Sequence, residues 1–218
     1  EHSFIVDVPK NLDELDASYQ FERVGEEDVA MLPAYVVAIT PKDDYRYTRK
    51  IWITKEQFLP VKAVVYNLNG GVLEQVVFTE IQINKPSGKT TEPNSKPAAA
   101  QTVAMEATDF SSQAAFEVTA LPQGFKQIFF SRKPLHKSDQ PVDHLLLSDG
   151  FATVSVYMEA KKADSATDSH IPEGMHTAGA INSMSRTLAD SQLTVLGEVP
   201  ATTVKFIAEG VKLRNPAP

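Results

Sequence analysis

Cysteine is absent from the 218 residues, which removes disulfide frameworks, thiolate nucleophiles and cysteine-based zinc sites together. The absence leaves the compartment open, because periplasmic proteins can also lack cysteine. No uninterrupted apolar run approaches the ~20 residues that a membrane-spanning helix requires, and Glu1-His2-Ser3 lacks the basic-then-apolar opening of a signal peptide. The chain reads as soluble. Positive charge is also in deficit: 21 Lys and Arg stand against 28 Asp and Glu, a net charge of −7. That balance argues against polyanion binding by the whole chain, so nucleic acid is not an expected partner. What is present is 42% apolar residues, enough to fill one or two cores.

Residues 85 to 115 hold Pro86, Pro93 and Pro97 among Ser, Thr, Lys and Ala, a linker composition. The expected division is 1–85, a linker at 86–115, and 116–218. Residues 1 to 85 carry 9 basic against 14 acidic side chains, and residues 116 to 218 carry 10 against 11. The acidity therefore belongs mainly to the first module. There, Tyr35 to Thr40, Tyr45 to Thr54, Val61 to Leu68 and Val72 to Ile83 predict four strands joined by short turns, an antiparallel meander. Residues 1 to 33 offer little beyond one helical turn around Leu12 to Ala17. The apolar face of the sheet is thus expected to lack its cover, the domain to begin upstream of residue 1, and the chain to form a homo-oligomer through residues 34 to 84. In the second module Phe125 to Ser131, Val142 to Leu147, Phe151 to Glu159 and Gln192 to Glu198 predict strands, with an Asp149-Gly150 hairpin turn. Val204, Ile207, Ala208 and Val211 at i, i+3, i+4 and i+7 predict one closing helix after Pro200. The fold class is mainly β (α+β): an incomplete antiparallel sheet, then a smaller C-terminal antiparallel sheet closed by one helix.

Candidate chemistry is sparse. His136, Asp139, Asp143, His144 and Asp149 lie close in sequence, but Asp143 and His144 are strand neighbours that point to opposite faces, which argues against a metal site. His170 and His176 lack the i, i+4 spacing of a helical metal pair. No Gly-x-Ser-x-Gly elbow and no Gly-rich phosphate loop occurs. Glu26-Glu27-Asp28 and Asp43-Asp44 fall in predicted loops and read as solvated surface; Trp52 reads as sheet packing. No enzyme activity, cofactor or metal is expected.

One stretch stands out. Lys126, Arg132, Lys133 and Lys137, with His136, occupy twelve residues that contain no acidic side chain. They are the candidate partner-binding residues, a basic patch suited to carboxylates or phosphates. Reversing the charge of Arg132 and Lys133 is expected to weaken binding while leaving stability nearly unchanged.

Leu121-Pro122-Gln123-Gly124-Phe125, Ser131-Arg132-Lys133-Pro134-Leu135, Leu147-Ser148-Asp149-Gly150-Phe151 and Val195-Leu196-Gly197-Glu198-Val199-Pro200 closely resemble the C-terminal domain of the RseB/MucB family. Tyr45-Arg46-Tyr47, Ile51-Trp52-Ile53, Leu59-Pro60-Val61 and Gly71-Val72-Leu73-Glu74-Gln75 resemble the end of the same family's N-terminal domain. The resemblance implies a LolA/LolB-like first module and a periplasmic negative regulator of the envelope-stress sigma factor (sigma-E, or AlgU). It implies binding to the periplasmic region of the anti-sigma factor, RseA or MucA, protection of that region from site-1 proteolysis, and release by lipid or lipopolysaccharide. The alternative it leaves is a periplasmic carrier of lipid or lipoprotein acyl chains.

Overall fold

The computed structural model describes residues 15–81, 114–134, 141–161 and 172–214. β-branched and aromatic residues at alternate positions build the first sheet, a five-stranded antiparallel meander of β1 (Tyr19–Val29), β2 (Leu32–Pro41), β3 (Thr48–Thr54), β4 (Pro60–Tyr66) and β5 (Val72–Val77). The pleat sends Ala34, Val36, Trp52 and Val64 to one face, and Ile39 and Ile51 to the other.

Two expectations are corrected here. Residues before position 33 do supply a strand: the eleven-residue β1 pairs with β2 across a two-residue turn, Ala30-Met31, with φ of 49° and 62°. Glu26, Glu27 and Asp28 therefore lie on a strand rather than in a loop. The face expected to be bare is also filled, since Val36, Trp52 and Val64 are only 8%, 6% and 2% exposed. The reason is local: Val29 of the unforeseen strand and Ile81 beyond β5 pack against them, and the Lys62 ammonium lies 4.1 Å from the centre of the Trp52 ring.

The second sheet is also antiparallel: β7 (Lys126–Pro134), β8 (Pro141–Ser148), β9 (Thr153–Ala160), β10 (Gly174–Ala178), β11 (Ile181–Leu188) and β12 (Ser191–Gly197), in the order β10-β11-β12-β9-β8-β7. Among the described residues it has six strands and the first sheet five, where the second was expected to be the smaller. The increment is β10 and β11, whose Met-His-Thr-Ala and Asn-Ser-Met-Ser runs carry little apolar alternation. A short ladder of β6 (Phe116–Val118) with β13 (Val211–Leu213) flanks the sheet.

Helix α1 (Ala201–Gly210) follows Pro200 as the periodicity predicts, and it buries Thr203, Val204, Ile207 and Ala208. It packs on β11 and β12, completing a core with Phe116, Leu145, Leu147, Val154, Val156, Leu193 and Val195. Asp149 organises the β8–β9 turn: Oδ1 accepts from the amides of Phe151 and Ala152 at 2.9 and 2.8 Å, and Gly150 takes a φ of 104° that a side chain would resist.

Candidate functional site

Strand alternation separates two of the basic candidates, Arg132 and Lys133. In β7 a bulge between Gln127 and Phe129 resets the register, after which Arg132 pairs with Asp143 and Lys133 with Val142. Arg132 and Lys133 are neighbours on a strand, so they face opposite sides. The Arg132 guanidinium grips Asp143 through Nε and, at 2.8 Å, through Nη2, and the same carboxylate accepts the Ala115 amide at 2.9 Å. Asp143 is almost wholly buried while Arg132 is half exposed. Arg132 is thus a neutralised, positioning side chain. The charge-reversal expectation changes accordingly, because a carboxylate at 132 would meet a buried carboxylate. Lys126 and Lys133 are exposed; Lys137 and His136 lie outside the described residues.

The other candidates resolve into structure. His144 stacks on Tyr157 at 4.3 Å with Nε2 3.1 Å from Ser155 Oγ, and burial pushes its pKa down. His176 places Nε2 2.8 Å from the Pro172 carbonyl, and His170 and Asp139 lie outside the described residues. Trp52 Nε1 donates to Glu27 at 2.6 Å, which with Lys62 holds the Glu27 carboxyl below its usual range. Glu26 bonds to Lys55 and Arg23.

The densest polar constellation was not foreseen, and it lies where the two sheets meet. Arg46, in the β2–β3 loop, is fully buried. Its Nε donates to Asp149, its Nη1 to Asp43 and its Nη2 to the Gln123 carbonyl, and its guanidinium lies 4.9 Å from the Phe125 ring centre and 5.4 Å from that of Tyr19. Tyr19 donates its hydroxyl to Asp149 Oδ2 at 2.8 Å. Burial, then the adjacent Asp149 charge, drives the Tyr19 pKa far upward. Around this node Asn182 Nδ2 donates to Tyr47 Oη at 2.8 Å, Arg49 bonds to Glu198 at 2.9 Å, and Thr203 Oγ1 donates to the Tyr45 carbonyl at 2.7 Å. Phe151 adds an edge-on contact to Tyr19, with centroids 5.4 Å apart.

Glu198 shows how tightly the seam closes. Burial raises its pKa, Arg49 opposes the shift, and Glu74 adds to it. These groups bind and orient; each carboxylate at the node is committed to a cation, a hydroxyl or backbone amides, an arrangement suited to holding two modules at a fixed angle. The available sequence signal was Tyr45-Arg46-Tyr47, an arginine between two aromatics at a strand entrance. Its partner lies 103 positions away, beyond the reach of any spacing rule.

Residues 1–106 match the MucB/RseB N-terminal domain and residues 111–212 the MucB/RseB C-terminal domain. The sigma-E factor regulatory protein RseB of Haemophilus influenzae is 27% identical over 207 residues, covering 95% of this chain and 64% of the relative. The sigma factor AlgU regulatory protein MucB of Pseudomonas aeruginosa is 29% identical over 201 residues, 91% of this chain and 62% of the relative. The chain thus spans somewhat over three-fifths of the length of these relatives. A crystal structure of MucB in complex with MucA(peri) superposes with a TM-score of 0.70 at 26% identity, covering 95% of this chain and 72% of that one. With both of its halves matched, in order, to the two domains of a single family, the chain belongs to the MucB/RseB family.

Proposed function

We propose that this chain is the anti-sigma-binding body of a periplasmic regulator: it binds the periplasmic region of an RseA/MucA-type anti-sigma factor and shields it from site-1 proteolysis. The observation that carries this reading is the likeness, along nearly the whole chain, to a MucB crystallised with MucA(peri). The seam supports it, because a buried Arg46–Asp149 pair holds two sheets in a fixed relation, and a partner can be gripped across such a pair. We place the modules at 1–85 and 116–218 with a linker at 86–115, the segment in which the two family matches meet. The role needs no catalytic centre.

Lipopolysaccharide as the release signal belongs to the same proposal, with the exposed Lys126 and Lys133 as its phosphate contacts. Self-association through the outer edge of β5, where Val72 is 60% exposed, is part of the same proposal. The acyl-carrier alternative is weakened by the filled Trp52 face of the first sheet.

Calorimetric titration with the periplasmic segment of the cognate anti-sigma factor tests the proposal. Saturable 1:1 binding, together with slower cleavage of that segment by the site-1 protease, is the expected result. Absence of binding by a chain whose folding has been verified would overturn it.

A further inference from the structure

In an antiparallel meander the far ends of odd-numbered strands fall at one end of the sheet. The β1–β2 turn, the β3–β4 connection and the end of β5 therefore lie together, opposite the end that meets the second module through residues 43–47. A hydrogen bond from the Lys55 amide to the Pro33 carbonyl at 2.9 Å joins the first two, and one from the Phe78 amide to the Val61 carbonyl, also 2.9 Å, joins the third.

This distal rim concentrates apolar side chains that should not face water. Among the described residues twelve large hydrophobics are exposed, and five of them sit here: Met31 at 96%, Phe58 at 69%, Val77 at 42%, Leu59 at 41% and Phe78 at 41%. Met31 and Phe58 also adopt left-handed backbone, with φ of 62° and 54°. Gly or Asn would fit those positions without a steric conflict, and a polar residue would cost nothing in hydration. Met31 and Phe58 are thus bulky apolar groups held almost wholly and mostly in water, respectively, on backbone that does not favour them. Such positions are associated with function rather than folding.

The surrounding charge selects the occupant. Lys55 and Lys62, the nearby cations, are already paired with Glu26 and Glu27 of β1. Asp28, Glu56 and Glu80 stand exposed, one in or beside each of the three segments that carry these five side chains. We infer that the distal rim, centred on Met31 and Phe58, docks a protein segment in which apolar side chains alternate with Lys or Arg. The acidic border repels an anionic bilayer, and it repels the equally acidic rim of a second copy.

The test uses the whole chain and two labelled model peptides, a Leu/Lys amphipathic 14-mer and its Leu/Glu counterpart. Its variant is Met31→Asn with Phe58→Asn, residues that accept left-handed backbone. The expected result is Leu/Lys binding that weakens at least tenfold in the variant and falls with salt, no Leu/Glu binding, and a thermal midpoint no lower than that of the parent. Loss of binding without loss of stability is a signature that a packing role would not give. If the Asn variant unfolds, Met31→Gly with Phe58→Gly replaces it. Equal Leu/Lys binding by parent and variant overturns the inference, as does equal binding of the two peptides. It is overturned as well if phosphatidylglycerol vesicles retain the parent and not the variant, or if sedimentation shows self-association that the variant abolishes.

Discussion

Arg46 and Asp149 stand 103 positions apart and form an ion pair whose side chains are 0% and 1% exposed. Removing one member of such a pair strands the other charge, whereas replacing both is far milder. Arg46→Met is therefore expected to cost about 3–5 kcal/mol, and Arg46→Met with Asp149→Asn less than the sum of the single changes. Tyr19→Phe, losing one hydrogen bond to the same carboxylate, should cost roughly 1 kcal/mol. Urea unfolding of the parent, Arg46→Met, Asp149→Asn and the double variant provides the cycle, with Tyr19→Phe measured beside it. Calorimetry should show one transition in the parent resolving into two in Arg46→Met, as the sheets lose their coupling.

Gly124 tests the same seam through the backbone. Its φ is +86°, and an added Cβ would sit 2.8 Å from Ser18 Oγ and 3.3 Å from Arg46 Nη2. Gly124→Ala should destabilise by about 1–3 kcal/mol and displace the guanidinium. Gly197→Ala, whose Cβ would fall 2.5 Å from the Thr153 carbonyl oxygen, should instead strain the second sheet while leaving the Arg46 guanidinium in place. Separate monitoring of Trp52 fluorescence and far-ultraviolet dichroism distinguishes the two.

Glu198 gives the seam a pH dependence of known sign. Its folded pKa is raised, chiefly by burial, above the ordinary 4.5. Between the unfolded and folded values the native state holds more protons, so the contribution of Glu198 to stability is present below that window and is lost as pH rises through it. Glu198→Gln, which can still accept a hydrogen bond from Arg49, should melt higher than the parent at pH 7 and flatten its pH profile upward from 4.5. A series of melts between pH 4.5 and 7.5 reads the difference.

Arg132 and Lys133 should separate cleanly. Arg132→Ala removes the partner of a buried carboxylate and should cost about 1–3 kcal/mol. Lys133→Glu, on the exposed side of the strand, should change stability by no more than about 0.5 kcal/mol. If the basic residues attract an acidic partner, Lys126→Glu and Lys133→Glu weaken the association and reduce its salt dependence. Paired urea titrations and binding isotherms report both effects.

The strands that sequence revealed are those whose own side chains carry the signal. Val154, Val156 and Met158 alternate inward in β9, and Asp149-Gly150 announces its turn, so both are legible without a fold. β1 is not, because Glu26-Glu27-Asp28 looks like solvated loop and its turn is Ala30-Met31, with none of the Asn or Gly that positive φ favours. β10 and β11 escape for a related reason: Thr177, Asn182 and Ser185 answer to hydrogen-bonding partners, Thr177 to Asn182, Asn182 to Tyr47 and Ser185 to Thr194, rather than to an apolar core. The basic stretch on β7 was legible as composition, but its meaning was set by Asp143, eleven residues on and paired across the ladder. The seam was largely illegible, since, apart from Arg46–Asp43, its bonds join distant segments.

The two halves of that seam also differ in when they can exist. The β8–β9 turn that holds Asp149 closes through bonds spanning two to four residues, a hairpin event of about 1–10 μs. Arg46 can reach it only after two separate sheets have acquired their shapes, because the loop it closes is long and rewards nothing until both ends are in place. Docking is then expected as the last step of refolding. Substitutions at Arg46 should leave the early rise of sheet signal untouched and act mainly on the rate at which the finished protein comes apart.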